Sequence, residues 1–406
     1  MINYSLYYKY NFNKTNNLYA VANIYEADLN FKDINNLQSE IEDELVVNTS
    51  LIRKKKSQFY KINYNSNLSE KHKIDTGIST YYRKMGSEFV ENRVLQTTTN
   101  YNEIRTKAFL NFKTNFNKLA FSVGIALENQ ISKMNSSDNK NSNLLPSLNM
   151  QYKINKKQNL RFSYTKRLNY PNTYQLSDYI KQTDNVNIYV GNPNVKSFAT
   201  NSIMLSYARR SKGVFISPSL SYSYVENPIN NIINFASDDT IIHTYDNIGN
   251  IKKWMLRIRS SFSLGKVKLN PSIVLSNDLY DSPQGKWGGN HVAFNFSPDY
   301  TFKNGINISS NFYYKSKKYI YQGFKEVTPS LDFTISKNYF DGNLAVLINV
   351  NPFDDKYTDT YSFDDVQIKK ERFEHYKNIN IEIVYSFMRG TQLKNKRKHL
   401  HRDKDF

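Results

Sequence analysis

The chain has 406 residues, with 55 Lys and Arg against 36 Asp and Glu for a net charge of +19, and no cysteine, so disulfide frameworks, thiolate metal sites and cysteine nucleophiles are excluded. Aromatic residues make up 15% of it, 32 Tyr and 25 Phe against 2 Trp, while hydrophobic residues in total reach only 39%; a soluble core needs fewer aromatics, and no run of 18 apolar residues exists for a helical membrane span. The positive charge is dispersed along polar faces and loops rather than gathered on one basic helix, which argues against nucleic acid as a partner, and base-composition bias, visible as abundant Asn, Lys, Ile and Tyr, explains part of it.

From its first residues the chain alternates. Ile2, Tyr4, Leu6, Tyr8, Tyr10 and Phe12 form an apolar face and Asn3, Ser5, Lys9 and Asn11 a polar one, with Tyr7 the exception. Successive side chains on a strand point to opposite faces, so the segment is predicted to be a strand with one apolar and one wet side. A turn at Asn13 to Asn17 and a long polar stretch, Ala27 to Ser57, follow. Within that stretch Leu37 to Val47 carries Glu40, Glu42, Asp43 and Glu44, read as a short helix or acidic turn that either holds a cation or is a solvated loop face. The alternation returns at Leu119, Phe121, Val123, Ile125 and Leu127, at Trp254, Leu256, Ile258, Phe262 and Leu264, at Val292, Phe294, Phe296, Tyr300 and Phe302, and at Ile379, Ile381, Ile383, Tyr385 and Phe387.

Short turns alternate with long connectors throughout. The short ones are Asn13 to Asn17, Ser66 to Lys71, Asn115 to Lys118, Asn155 to Gln158, Arg210 to Gly213, Gly265 to Lys266, Lys303 to Gly305 and Asn338 to Gly342, several with the Asn, Asp or Gly of tight hairpins. The long ones are Ala27 to Ser57, Met85 to Thr99, Asn129 to Asn143, Asn169 to Phe198, Asn227 to Ile251, Asn277 to Gly289, Ser316 to Val327 and Phe353 to Glu374. Transmembrane barrels combine tilted strands of about 9 to 11 residues, aromatic girdles and this asymmetry of connections. The expectation is an all-β, antiparallel transmembrane β-barrel of about 17 strands, in the outer membrane, with long loops outside and short turns in the periplasm. Leu256, Ile258, Phe294, Phe296, Ile381 and Ile383 are expected to face lipid, and Arg257, Arg259, Asn295 and Glu382 the lumen. An odd strand count, and Met1 standing against a strand with no signal sequence, lead to the further expectation of a barrel incomplete at its N-terminus. The barrel is expected over residues 1–388 and a basic periplasmic tail over 389–406.

Leu160 to Arg210 reads LRFSYTKRLNYPNTYQLSDYIKQTDNVNIYVGNPNVKSFATNSIMLSYARR. This resembles the barrel segment of TonB-dependent receptor-like outer-membrane proteins: a strand ending in Arg167, then Pro171, Gln175 and Leu176, then Gly191, Asn192 and Pro193. Val195 fits the family's apolar position, whereas Ser197 and Phe198 stand where the family has Pro-Glu. Asn311 to Tyr357 resembles the last hairpins of the same family, with Asn349, Val350 and Asn351 leading into Phe353, Asp354, Asp355 and Tyr357. The resemblance implies an uptake receptor of about 22 strands with a plug in its lumen and a periplasmic coupling segment. Neither plug nor coupling segment is recognisable here, so an upstream plug-bearing segment or a partner chain is an implied partner.

The remaining candidates point away from catalysis. Gly191, Asn192 and Pro193 suit backbone punctuation: Gly permits positive φ, Asn bonds its own backbone and Pro ends pairing. His72, His243, His291, His375, His399 and His401 are scattered; His399 and His401 alone lie close, in a tail rich in Lys and Arg. Asp354, Asp355, Asp364 and Asp365 lack the ordered spacing of a calcium loop. No Gly-x-Ser-x-Gly, phosphate loop or His-Glu-x-x-His is present; no catalytic residue, metal or cofactor is assigned, and the chain is expected not to be an enzyme. Arg161, Arg167, Arg257 and Arg259 on polar strand faces either line an anion-selective lumen or form salt bridges to Glu128 or Asp332. Tyr385 and Phe387 close the last alternating strand and resemble the signal read by barrel-assembly machinery, an expected partner beside outer-membrane lipid and lipopolysaccharide. The expected function is a receptor or transporter barrel; the alternative is a secreted or surface-attached all-β protein binding glycans or proteins.

Overall fold

The computed structural model describes residues 2–37, 45–91, 94–135, 137–177, 180–182, 186–236, 240–283, 285–363, 366–374 and 377–387. Four long hairpins come first: β1 (Ile2–Asn11) with β2 (Asn16–Leu37), β3 (Leu45–Asn67) with β4 (His72–Glu91), β5 (Val94–Phe116) with β6 (Leu119–Met134), and β7 (Ser137–Asn155) with β8 (Gln158–Asn169). A helical turn α1 (Thr173–Leu176), β9 (Ile180–Gln182) and β10 (Asn187–Val190) precede the hairpin β11 (Phe198–Ser211) and β12 (Val214–Glu226). Next come β13 (Ile229–Phe235) and β14 (Ile241–Asn247), then β15 (Asn250–Leu264), β16 (Val267–Ser282), β17 (Gly285–Thr301) and β18 (Ile306–Lys315). The chain continues through β19 (Lys318–Ile320), β20 (Gly323–Val327), β21 (Ser330–Tyr339), β22 (Leu344–Asn351), β23 (Asp355–Phe363), β24 (Val366–Glu374) and β25 (Asn378–Tyr385).

Seventeen of these strands form one sheet. Each pairs antiparallel with its neighbour along the chain, and β9–β10, β13–β14, β19–β20 and β23–β24 are excursions between wall strands. The eight predicted short turns all join wall strands. Five of them use the left-handed backbone that tight hairpins require, Asn117 (φ 44°) and Gly213 (φ 71°) among the residues that adopt it. No pairing joins β1 to β25 among the described residues, so the sheet is open at that seam and its closure into a barrel is not seen.

Register puts like residues on one face. Phe121, Met150, Phe162, Leu205, Leu220, Leu256, Leu275 and Val292 are successive cross-strand partners over eight strands. Leu264, Val267, Tyr300, Ile308, Ile335, Ile348 and Ile381 form a second such row. None of these row residues is buried; they range from half-buried to exposed, Leu220 by 47% and Ile381 by 64%, whereas Arg53, Arg83, Glu103 and Gln130 are buried. The sheet is thus inverted relative to a soluble protein, apolar outside and polar inside. At the short-turn end the apolar face ends in aromatic contacts: Tyr10 with Phe12 at 5.0 Å, Phe12 with Tyr64 at 6.3 Å, Tyr300 with Phe302 at 4.6 Å and Tyr385 with Phe387 at 6.3 Å between ring centroids.

Four predicted connectors prove to be ladder rather than loop. Much of Ala27 to Ser57, Met85 to Thr99, Asn129 to Asn143 and Asn277 to Gly289 continues the wall strands, so that β3 and β5 reach 23 residues, about 76 Å at roughly 3.3 Å per residue. Of the acidic segment Leu37 to Val47, Leu37 and Leu45–Val47 are strand rather than helix, and Glu40, Glu42, Asp43 and Glu44 lie outside the described residues. The same holds for Asp364, Asp365, His375, Tyr376, His399, His401 and the tail 389–406.

Candidate functional site

The predicted receptor motif folds over the polar face of β3 to β7. Pro171 is buried. Asn172 caps α1 by accepting from the Gln175 amide at 2.9 Å, and the Gln175 side chain accepts from the Asn172 amide at 2.9 Å. The Gln175 carbonyl in turn accepts from the Asn192 amide at 2.7 Å. Gly191 is needed for this close approach, because a Cβ there would stand 2.3 Å from the Ser177 carbonyl oxygen and 2.5 Å from that of Tyr174. Asn192 accepts from the Asn194 amide at 2.9 Å and donates to the Tyr245 carbonyl at 2.9 Å, which ties β14 to the same loop; Pro193 follows it in the turn. Leu176 and Val195 insert into a cluster with Met85, Tyr101 and Met134.

Polar contacts surround that cluster. Arg83 and Glu103, both almost wholly buried, pair at 2.9 Å, and Glu103 accepts from Gln130 at 2.7 Å. Gln130 accepts from Ser197 at 2.8 Å, and Ser197 accepts from Asn141 at 3.1 Å, so the residue at the motif's departure from Pro-Glu links loop to wall. Two aromatic contacts do the same: the Arg105 guanidinium lies 4.1 Å from the Tyr170 ring, and that of Arg53 lies 4.6 Å from the Tyr174 ring. A loop leaving β8 therefore touches β3, five strand positions away, which requires the polar face to be concave.

Arg105, Lys107, Lys166, Arg167, Glu128 and Tyr170 line a cavity of about 400 Å³ on this face. Arg167 of the motif is thus at a cavity wall. Glu128 is taken by Lys107 at 3.6 Å rather than by one of the four arginines considered from sequence, and Arg161 donates to Gln151 at 3.4 Å.

The remaining excursions assemble with this loop. In one four-stranded sheet β13 and β14 are antiparallel, β10 runs parallel to β14, and β9 pairs with β10; β19, β20, β23 and β24 form a second sheet. Contacts that join them include the Ile233 amide donating to Gln322 at 3.1 Å, Lys370 donating to the Tyr189 hydroxyl, and Lys370 approaching His243 Nε2 at 3.3 Å. His243 stacks on Tyr189 at 4.2 Å and bonds Asn187 at 2.9 Å. His291 is buried with Nδ1 3.0 Å from the Ser316 carbonyl oxygen, so it anchors the base of the β18–β19 connection. His72 bonds Thr114 at 2.8 Å near a short turn.

A second cavity, of about 790 Å³, opens where β10, β19, β20, β23 and β24 meet. Sequence reasoning placed loops here but missed this site, because its residues come from three connectors far apart in the chain, each with unremarkable local spacing.

No curated protein matches the sequence. Among solved structures the fold is similar to the copper transporter OprC (TM-score 0.69, 10% identity, 95% of this chain and 65% of that one). It is also similar to the ferric-catecholate import receptor Fiu from E. coli K12 (TM-score 0.63, 12% identity, 87% and 60%). A third likeness is BauA, the ferric preacinetobactin receptor from Acinetobacter baumannii (TM-score 0.63, 10% identity, 95% and 62%). The chain thus spans under two thirds of each of these proteins, and at such identities the likeness is one of fold. The profile of the outer membrane protein beta-barrel family matches residues 3–385. With the inverted sheet and the eight short turns, that match over nearly the whole sequence means that the chain belongs to the outer membrane protein beta-barrel family.

Proposed function

We propose that the chain forms the wall of an outer-membrane receptor or transporter of the TonB-dependent type, rather than an enzyme or a secreted binding protein. The burial pattern of β6 carries this proposal: Val123, Ile125, Leu127 and Ile131 are exposed, while Gly124, Ala126, Glu128, Gln130 and Ser132 between them are buried. Such a face is stable against lipid, and the polar one suits a water-filled path. The long hairpins and the loop assembly stand outside the cell as the recognition surface, their basic residues meeting lipopolysaccharide, and the short turns face the periplasm. Arg167, Pro171, Gln175, Leu176, Gly191, Asn192 and Pro193 tether that assembly to the wall. The assembly machinery engages the strand ending at Tyr385 and Phe387. In the bilayer the edges of β1 and β25 are satisfied by pairing with each other, with further sequence or with another chain, since each unsatisfied backbone group on a strand edge costs several kcal/mol in hydrocarbon.

Proteolysis of intact cells tests the orientation. Cleavage is expected within Asn227 to Ile251 and Phe353 to Glu374; cleavage confined to Asn155 to Gln158 and Lys303 to Gly305 would reverse it. Partition with detergent-extracted envelope and heat-modifiable migration on gels are expected, and a soluble, unmodifiable product would overturn the proposal.

A further inference from the structure

The larger cavity has an unbalanced charge. Lys315, Lys318, Lys325, Lys370 and Arg372 line it, against Glu326, Asp359 and Glu371. Two of the three carboxylates are already compensated: Asp359 pairs with Lys325 at 2.9 Å, and Glu371 with Lys356 at 2.9 Å and Lys369 at 2.8 Å, the latter two lying outside the lining. Among the described residues neither Lys315 nor Lys318 has a carboxylate within ion-pair range.

The neighbourhood of Lys318 adds to the imbalance. Its ammonium is held below its usual range, first by partial burial and then by Lys253, with Lys315 and Lys325 adding to the effect and Asp278 opposing it. Lys253 itself is neutralised by Asp278 at 2.8 Å. Cations crowded in a partly desolvated cavity repel one another unless an anion joins them. Two aromatic residues, Tyr189 and Tyr357, belong to the same wall, with Lys370 and Arg372 each 4.9 Å from their rings, and about 790 Å³ lies within the range of small-ligand sites.

We propose that this cavity binds a small polyanion bearing phosphate or carboxylate groups, with Lys315 and Lys318 as its primary charge contacts and Tyr189 and Tyr357 flanking its uncharged part. The proposal rests on the receptor function above and names the ligand chemistry of its recognition surface. Glu326 is the one lining carboxylate without an ion pair among the described residues, so it opposes the ligand and sets an upper limit on its charge.

The test is isothermal titration of the full chain in detergent with tripolyphosphate, citrate and neutral raffinose, on preparations first shown to be heat-modifiable on gels. At least one of the two anions is expected to bind, with affinity falling as salt rises, and the two arms tell phosphate from carboxylate recognition. The double variant Lys315→Gln/Lys318→Gln is expected to weaken that binding at least about tenfold, a change of about 1.4 kcal/mol. Lys318→Arg should largely retain it. Glu326→Gln, at an exposed residue without an ion pair among the described residues, should tighten it. Lys266→Gln/Lys303→Gln, at the short-turn end, should leave it unchanged. Failure of both anions to bind, equal binding by the Lys315/Lys318 variant, equal loss in the Lys266/Lys303 variant, or preference for raffinose would each overturn the proposal. Any of these results in a heat-modifiable preparation leaves the receptor function standing, whereas loss of heat-modifiability refutes that function itself.

Discussion

At the scale of single residues, the two faces of each wall strand make opposite demands. Ile258 pairs with Ile273 and Pro218 in an apolar row, while Arg257 and Arg259 lie on the other face. Arginine in place of a lipid-facing residue near mid-bilayer costs about 2 to 4 kcal/mol. Ile258→Arg is therefore expected to lower the stability of the folded barrel by that amount in guanidinium titrations, and Ser261→Arg by much less; equal losses would mean that the faces are assigned wrongly. Gly191 makes a different demand, set by backbone oxygens that cannot rotate away. Gly191→Ala should cost about 1 to 3 kcal/mol, as overpacking does, and accelerate protease cleavage between Pro171 and Val195. Unchanged cleavage would show that the loop does not depend on this contact.

At the scale of elements, the hairpin β23–β24 carries a pH signature. Hydrogen bonds from Lys369 and Lys356 hold the Glu371 carboxyl below its ordinary 4.5. A carboxyl lowered by folding contributes stability that is present above its unfolded value and lost as pH falls through the folded one. Protease resistance of this hairpin should thus be constant above about pH 5 and fall below pH 4.5, with Glu371→Gln removing that component; an identical profile in the variant would contradict the pairing. The wall strands were legible in the sequence because lipid contact writes a period-two pattern, as in Ile379, Ile381 and Ile383. The projecting strands were not. In Arg53, Lys54, Lys55, Lys56 and Ser57 the first, third and fifth are buried and the others exposed, yet both faces are polar and the sequence shows only a charge run. Burial there alternates with tertiary position rather than with residue type. The same holds for the loop sheets, whose partners lie in other connectors: Tyr189 and Lys370 are 181 residues apart.

At the scale of the whole molecule, contacts over the polar face make the sheet concave. The excursion between β22 and β25 reaches the one between β8 and β11 through Lys370, across about eight strand spacings, roughly 38 Å of wall at about 4.8 Å each. No flat sheet allows that contact. Curvature, an apolar outer band and an aromatic rim together describe a wall that meets lipid outside and water inside. The chain contains no cysteine, so single cysteines give an unambiguous readout of this arrangement. The most direct test places one at a time at Leu256, Arg257, Ile258, Arg259, Phe294, Asn295 and Phe296 and measures labelling by a small, charged, membrane-impermeant thiol reagent in outer-membrane vesicles. Arg257, Arg259 and Asn295 are expected to label and Leu256, Ile258, Phe294 and Phe296 to stay protected until detergent strips the lipid; equal labelling of the two sets would contradict a lipid-facing wall.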